Sequence, residues 1–256
     1  MVAVAPADQR QIRGEGETSE REWRDWLERL APQSLPASMQ PGAGQRLVVV
    51  SPHPDDEVLT CGGMVAAHAA RGGDVAVVAV TDGEASHRDD PRWPAARLAE
   101  ARRAERTRGL ARLGVGASAV VSVGLADGAG DAGRAALREA LHGVLRADDV
   151  VVTTWSLDGH PDHDAAGAAV DQVCAERGCR VLQAPVWMWH WSTPFDGRVP
   201  WQRLRAWAIP PHALGLKASA LAEHATQLAP RADALGPVLG PAILARAART
   251  SEYFFV

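Results

Sequence analysis

Five short stretches of this chain are apolar almost without interruption, and helix-like sequence lies between them. They are RLVVVS (46–51), DVAVVAVT (74–81), SAVVSVGL (118–125), DDVVVTTW (148–155) and the opening of RVLQAPVWMWHW (180–191). Runs this short, bounded by turns, read as strands buried on both faces. The intervening MVAAHAARGG, RLAEARRAERTRGLARLGV, RAALREALHGVLRA and HDAAGAAVDQVCAERG read as helices, and three of these four end at glycine. This alternation predicts an α/β fold, a Rossmann-like and mainly parallel sheet with helices on both faces. Ligands in such sheets sit outside the carboxyl ends of the strands, so the active site belongs at the C-terminal strand edge.

Residues 1–45 read as an N-terminal extension and 46–256 as the main domain. Residues 1–17 are polar and rich in Gly and Pro, a composition that predicts a mobile lead. SEREWRDWLERL then gives one amphipathic helix, with Ser19 and Glu22 as a capping box and Trp23, Trp26, Leu27 and Leu30 on one face. That face must dock on its own domain or on a second subunit of a homo-oligomer. PQSLPASMQPGAGQ reads as a linker. Beyond the fifth strand, STPFDGRVPWQRLRAWAIPPH reads as loop plus short helix, LGLKASALAEHATQL as a helix, and TSEYFFV as an edge strand.

Two clusters of His and acidic residues interrupt this pattern. SPHPDDEVLTCGG follows the first strand and SLDGHPDHD follows the fourth. Both therefore fall at one edge of the sheet. His53 and Asp56 are three apart, as are His160 and His163. One His and one Asp from the first loop with one His from the second make three ligands, the number a catalytic zinc typically takes while keeping a position open for water. The mixed N/O set also suits Fe(II) or Co(II). Asp55, beside Asp56, can take a proton from water. His160 can face the substrate oxygen, with Asp162 holding its ring. These parts suffice to hydrolyse an amide or ester.

The bulk properties narrow the partners. A net charge of −4 gives no basic face for nucleic acid. No run approaches the roughly 20 apolar residues of a membrane span. The N-terminus has no basic-then-apolar leader, and Cys61, Cys174 and Cys179 form no metal-type pairs. Reduced thiols and a cytoplasmic location are expected.

PHPDDEVLTCGG and HPDHDAAG resemble the two signature stretches of the PIG-L (LmbE-like) family. TDGEAS (81–86), Arg102 and Glu105, LGV (113–115), GLADG (124–128) and KASALAEHATQ (217–227) follow in the family's order. The resemblance runs over about residues 46–256 and implies a Zn²⁺-dependent N-deacetylase. The substrate class it implies is an acetamido sugar within a glycoconjugate, glycolipid or glycosylated natural product. It assigns His53, Asp56 and His163 as metal ligands, Asp55 as general base, and His160 as the oxyanion-stabilising or acid residue steered by Asp162. It also makes Arg102 and Asp127 substrate contacts, with Glu84 a further candidate. The alternatives are a metal amidase acting on a different amide and a non-catalytic metal- or sugar-binding relative.

The chain departs from the family in its first 45 residues and in its tryptophans, five of nine of which lie between 187 and 207. That stretch serves either as packing or as a stacking wall for a substrate larger than a monosaccharide, with Trp189 and His190 as its candidate contacts.

Overall fold

A computed structural model describes residues 10, 12, 16–88, 90–232 and 236–256. Most of the lead expected to be mobile lies outside the described residues.

The chain begins with α1 (Glu20–Leu30) and β1 (Gln33–Ser34). The main domain opens with β2 (Leu47–Ser51), α2 (Asp56–Ala69), β3 (Val75–Ala79), α3 (Ala95–Arg112) and β4 (Val120–Ser122). It continues with α4 (Arg134–Val144), β5 (Val150–Thr154), α5 (Pro161–Arg177), β6 (Arg180–Ala184) and α6 (Met188–Trp191). The C-terminal part holds β7 (Leu204–Ala208), α7 (Pro211–Leu221), α8 (Ala225–Leu228), α9 (Pro241–Ala247) and β8 (Ser251–Phe255). These eight strands form one sheet in the order β1-β7-β8-β6-β5-β2-β3-β4. From β6 to β4 every pairing is parallel, and β8 alone runs antiparallel to its neighbours β6 and β7. The fold is the α/β class expected.

The strand residues explain the two helical layers. Side chains alternate across a sheet with period two. Leu47 and Val49 of β2, with Val75 and Val77 of β3 and Val150 and Val152 of β5, pack against Met64 of α2, Leu110 of α3 and Ala213 and Ala220 of α7. Val48, Val50, Val78 and Val151 face the other way, onto Leu137 and Leu141 of α4 and Ala166 and Val170 of α5. All five residues of β2 and of β5 are buried. Burying each valine contributes about 1.5–3 kcal/mol.

Two expectations in the C-terminal third are corrected. LRAWA is strand β7, not loop or helix. TSEYFFV gives β8, which is interior to the sheet. The linker reading also changes at Gln33–Ser34, which pair with Arg205 and Ala206.

α1 forms as its sequence dictates. The Ser19–Glu22 capping box is present at its start. Trp23 is fully buried, donates from its indole nitrogen to Trp189 O at 3.1 Å, and meets the Trp189 ring edge-on at 5.0 Å. Trp26 and Leu27 join the same cluster, and Arg249 anchors Glu20 at 2.7 Å. The apolar face of α1 thus docks on its own chain.

Strands β2 and β5 are neighbours with Val50 level with Thr153. The chain builds outward from β2 through β3 to β4, and from β5 to β6 on the other side. The loops after β2 and β5 therefore flank the crevice where the strand order reverses, the place where open α/β sheets bind ligands.

Candidate functional site

The two clusters meet there. His53 closes the turn after β2, and its backbone N–H donates to Asp56 Oδ2 at 2.9 Å. His53 Nδ1 lies 3.2 Å from the same oxygen. From the first turn of α5, His163 Nε2 also lies 3.2 Å from Asp56 Oδ2. That approach is off the angle of a hydrogen bond, so Nε2 is a buried nitrogen with no hydrogen-bond partner. Its other nitrogen, Nδ1, is 2.8 Å from Asp158 Oδ2. His53, His160 and His163 each place a ring nitrogen within 4.8 Å of the others, and His53, Asp127 and Asp162 form a second such set. His53 belongs to both sets, and their imidazole and carboxylate atoms, with the unpartnered His163 Nε2 among them, are donor types that fit a divalent cation; Asp56 is in neither set and meets them through its contacts to His53 and His163.

Charge within the cluster is strongly coupled. Burial pushes the His163 imidazole down, but Asp56 and Asp158 outweigh it and raise it to about 9. Burial likewise opposes the charge on His53, and hydrogen bonds to Asp127, Asp162 and Asp56 carry it well above its usual value. His160 goes the other way, to about 3, through burial and the nearby positive charge of His163 and His53. A cation binding here competes with protons on these nitrogens.

Asp55 sits at φ 134°, a conformation non-glycine residues rarely adopt and one that costs about 1–3 kcal/mol. Its carboxylate is held by Arg102 Nη2 at 3.1 Å. Burial pushes its pKa up to about 7, the Arg102 charge opposing and Asp56 adding to the rise. Arg102 is itself buried and donates to Gly83 O at 2.8 Å and Pro54 O at 2.9 Å. Gly83 makes room for it, since a Cβ there would stand 1.8 Å from Nη1.

The remaining expected residues fall in three places. Asp162 directs its carboxylate to His53 Nε2, at 3.1 Å, and not to His160; the amides of Gly128 and Gly130 fix it there at 2.8 and 2.7 Å. His160 instead caps α5, its Nδ1 accepting from Asp162 N at 3.3 Å. Asp127 Oδ1 lies 3.3 Å from His53 Nε2, and Glu84 supports it by accepting from Asp127 N at 2.9 Å. Trp189 and His190 do not line the site cavity. Trp189 packs on Trp23, and His190 Nδ1 bonds to Arg246. Trp187 lines the cavity instead, an opening of about 430 Å³ that also takes in His53, Asp55, His160 and Arg102.

Sequence reasoning gave no role to Asp158. It is fully buried, and besides His163 it accepts from the amides of Val186, Trp187 and Met188 at 2.8–3.0 Å. Its position five residues before His163, in a loop already dense in acids, was the one signal available.

A family model described as GlcNAc-PI de-N-acetylase matches residues 48–174. A 1D-myo-inositol 2-acetamido-2-deoxy-alpha-D-glucopyranoside deacetylase from Tsukamurella paurometabola is 31% identical, over 72% of this chain and 84% of that protein. Among solved structures, the A40926 pseudoaglycone deacetylase Dbv21 matches with a TM-score of 0.61 and 26% identity, over 82% of this chain and 96% of that one. N,N'-diacetylchitobiose deacetylase from Pyrococcus horikoshii shares the fold, with a TM-score of 0.58 and 20% identity over 83% and 81% of the two chains.

Proposed function

The chain belongs to the PIG-L family of metal-dependent de-N-acetylases, and from that premise we propose that it hydrolyses the acetamide of an N-acetylated amino sugar carried on a larger glycoconjugate. The observation that carries the reading is Asp55: a strained, buried carboxylate titrating near neutrality beside a convergent His/Asp set. We assign Zn²⁺ as the metal and His53, Asp56 and His163 as its ligands. When bound, such an ion polarises the acetamide carbonyl and lowers the pKa of water.

The chain's own groups supply the rest. Arg102 holds Asp55 Oδ2, so Oδ1 is the oxygen that takes a proton from the attacking water and passes it to the departing amine. His160 is neutral, and because its Nδ1 accepts from Asp162 N, the ring proton resides on Nε2. Nε2–H can then donate to the acetamide oxygen as negative charge develops on it. Asp162 and Asp127 together orient His53.

No helix among the described residues is long and apolar enough to cross a membrane. Cys61, Cys174 and Cys179 are all unpaired thiols, which supports a reducing, cytoplasmic setting. Asp55→Ala tests the assignment. Metal content equal to wild type with acetate release from an N-acetylglucosaminide reduced at least about a hundredfold is expected. Wild-type turnover in that variant would remove Asp55 as the base.

A further inference from the structure

Two arginines that line the site cavity pair with no acid among the described residues. Arg88, on the loop after β3, is exposed, and Arg231, following α8, is half-buried. Arg231 Nε donates to Gly236 O at 3.0 Å, which leaves its terminal nitrogens uncommitted. Arg88 Nη2 stands 3.1 Å from where a Cβ on Gly128 would sit, above the amide that holds Asp162. Neither guanidinium lies within ion-pair distance of a described carboxylate, whereas nearby surface arginines are paired: Arg92 with Asp90, Arg103 with Asp82, Arg108 and Arg112 with Glu223.

The acids deeper in the site do not meet this need. Asp55 is tied to Arg102, Asp56 lies between His53 and His163, and Asp127 and Asp162 are held by His53 and backbone amides. The negative charge of the floor is met from within, and the positive charge of Arg88 and Arg231 is met by no described side chain. The charge of Arg231 reaches inward: after burial and Arg102, it adds to what holds the His87 imidazole below its usual value. A second opening of about 530 Å³ adjoins the site and shares Ala85 and Arg88 with it, so Arg88 stands where the two join. Of the acids of that opening, Asp90 is committed to Arg92, and Glu84 gives Oε1 to Asp127 N while its Oε2 is buried without a hydrogen bond and forms no ion pair with Arg88.

We propose that the substrate's aglycone carries an anionic group, a carboxylate or a phosphate, seated between Arg88 and Arg231. The inference rests on the deacetylase reading and narrows its substrate class. An uncharged glycoside leaves both guanidiniums to water. An oxyanion gives them short, charge-assisted and bidentate hydrogen bonds, which a lysine pair would not reproduce. Because Arg88 is exposed, the gain is screened by salt.

The test uses the full chain and three N-acetylglucosaminides differing only in the aglycone: methyl, carboxymethyl and 2-phosphoethyl. Calorimetric titration gives Kd for each, and acetate release gives kcat/KM. At low salt at least one anionic glycoside is expected to bind about tenfold more tightly than the methyl glycoside, with the advantage shrinking as salt rises. Preference for the carboxymethyl compound assigns a carboxylate, and preference for the phosphoethyl compound a phosphate. In Arg88→Gln/Arg231→Gln the ratio of anionic to methyl Kd rises to about one, and in Arg88→Gln, a change at an exposed side chain, it rises part of the way. Equal Kd for all three glycosides in the wild type, or an advantage that survives the double variant, overturns the proposal. Anion-selective binding without acetate release from any glycoside upholds the anion site and fails the deacetylase reading. Acetate release at equal kcat/KM and equal Kd does the reverse.

Discussion

Asp158→Asn exchanges one oxygen for an NH₂ and reverses the proton logic of the site. In the wild type Oδ1 accepts from Val186 N at 3.0 Å and Met188 N at 2.8 Å, and Oδ2 accepts from Trp187 N at 2.9 Å and faces His163 Nδ1 at 2.8 Å. The substituted amide keeps a single acceptor oxygen. Facing it toward Val186 and Met188 satisfies two amides, and its NH₂ then points at the Trp187 N–H and at His163 Nδ1. A buried N–H left opposite another donor costs about 1–3 kcal/mol, and a chain of this size loses about 2–4 °C of Tm per kcal/mol. The imidazole answers the NH₂ by turning Nδ1 into an acceptor, which moves its proton to Nε2, the nitrogen aimed at the metal position. Loss of such an orienting partner weakens metal binding about 10–100-fold, or about 1.4–2.8 kcal/mol. The assay is Zn²⁺ competition against a chromophoric chelator, with Tm measured on the metal-stripped protein. Lowered Tm with wild-type metal affinity would refute the tautomer argument, and two unchanged values would refute the hydrogen-bond account of Asp158 altogether.

Three further perturbations separate site from scaffold. His160→Ala is expected to keep wild-type metal content while losing most acetate release; loss of the metal would instead make His160 a ligand, as its convergence with His53 and His163 allows. Trp23→Ala removes a fully buried ring and its bond to Trp189 O, and is expected to cost about 3–5 kcal/mol in urea denaturation; a wild-type midpoint would mean that α1 is not docked in solution. Glu20 is held below its usual value because, although burial raises it, the hydrogen bonds and charge of Arg249 and Arg24 outweigh that. Its contribution is therefore complete above the unfolded carboxylate value of about 4.5 and is lost as pH falls through the folded one. The Tm difference between wild type and Glu20→Gln should be present at neutral pH and shrink below about pH 4.5; a difference constant with pH would contradict the ion-pair assignment.

The sheet from β2 to β6 was legible because each strand is a short, mainly apolar run and helix-like sequence lies between the runs, although β4 is an edge strand with Val121 and Ser122 exposed. β7 was not. Arg205 and Trp207 are only half-buried, and the prolines on either side read as loop. Its partner β8 is placed between β7 and β6 by long-range pairing that no local pattern encodes. In the site, the spacing of His53 with Asp56 and of His160 with His163 brought the right loops together. What spacing could not give was direction. Asp162 turns to His53 because the amides of Gly128 and Gly130, more than thirty residues away in sequence, hold it there. Trp189 was a candidate substrate contact because the density of tryptophans between 187 and 207 suggested a stacking wall, with packing as the alternative. Residues 188–191 form α6, whose helical twist sends Trp189 toward α1 while Trp187 stays on the cavity. Asp158 was unreadable for a related reason, since three of its four partners, Val186, Trp187 and Met188, come from the segment that runs from β6 into α6.

The most direct test of the account is to strip the full chain of metal, return Zn²⁺ in steps, and follow bound metal and acetate release from an N-acetylglucosaminide in the same samples. The account predicts one bound ion per chain, with acetate release rising in proportion to occupancy and both absent in His163→Ala. Acetate release that persists in the stripped protein, or Zn²⁺ that binds equally well to the His163→Ala chain, would contradict it.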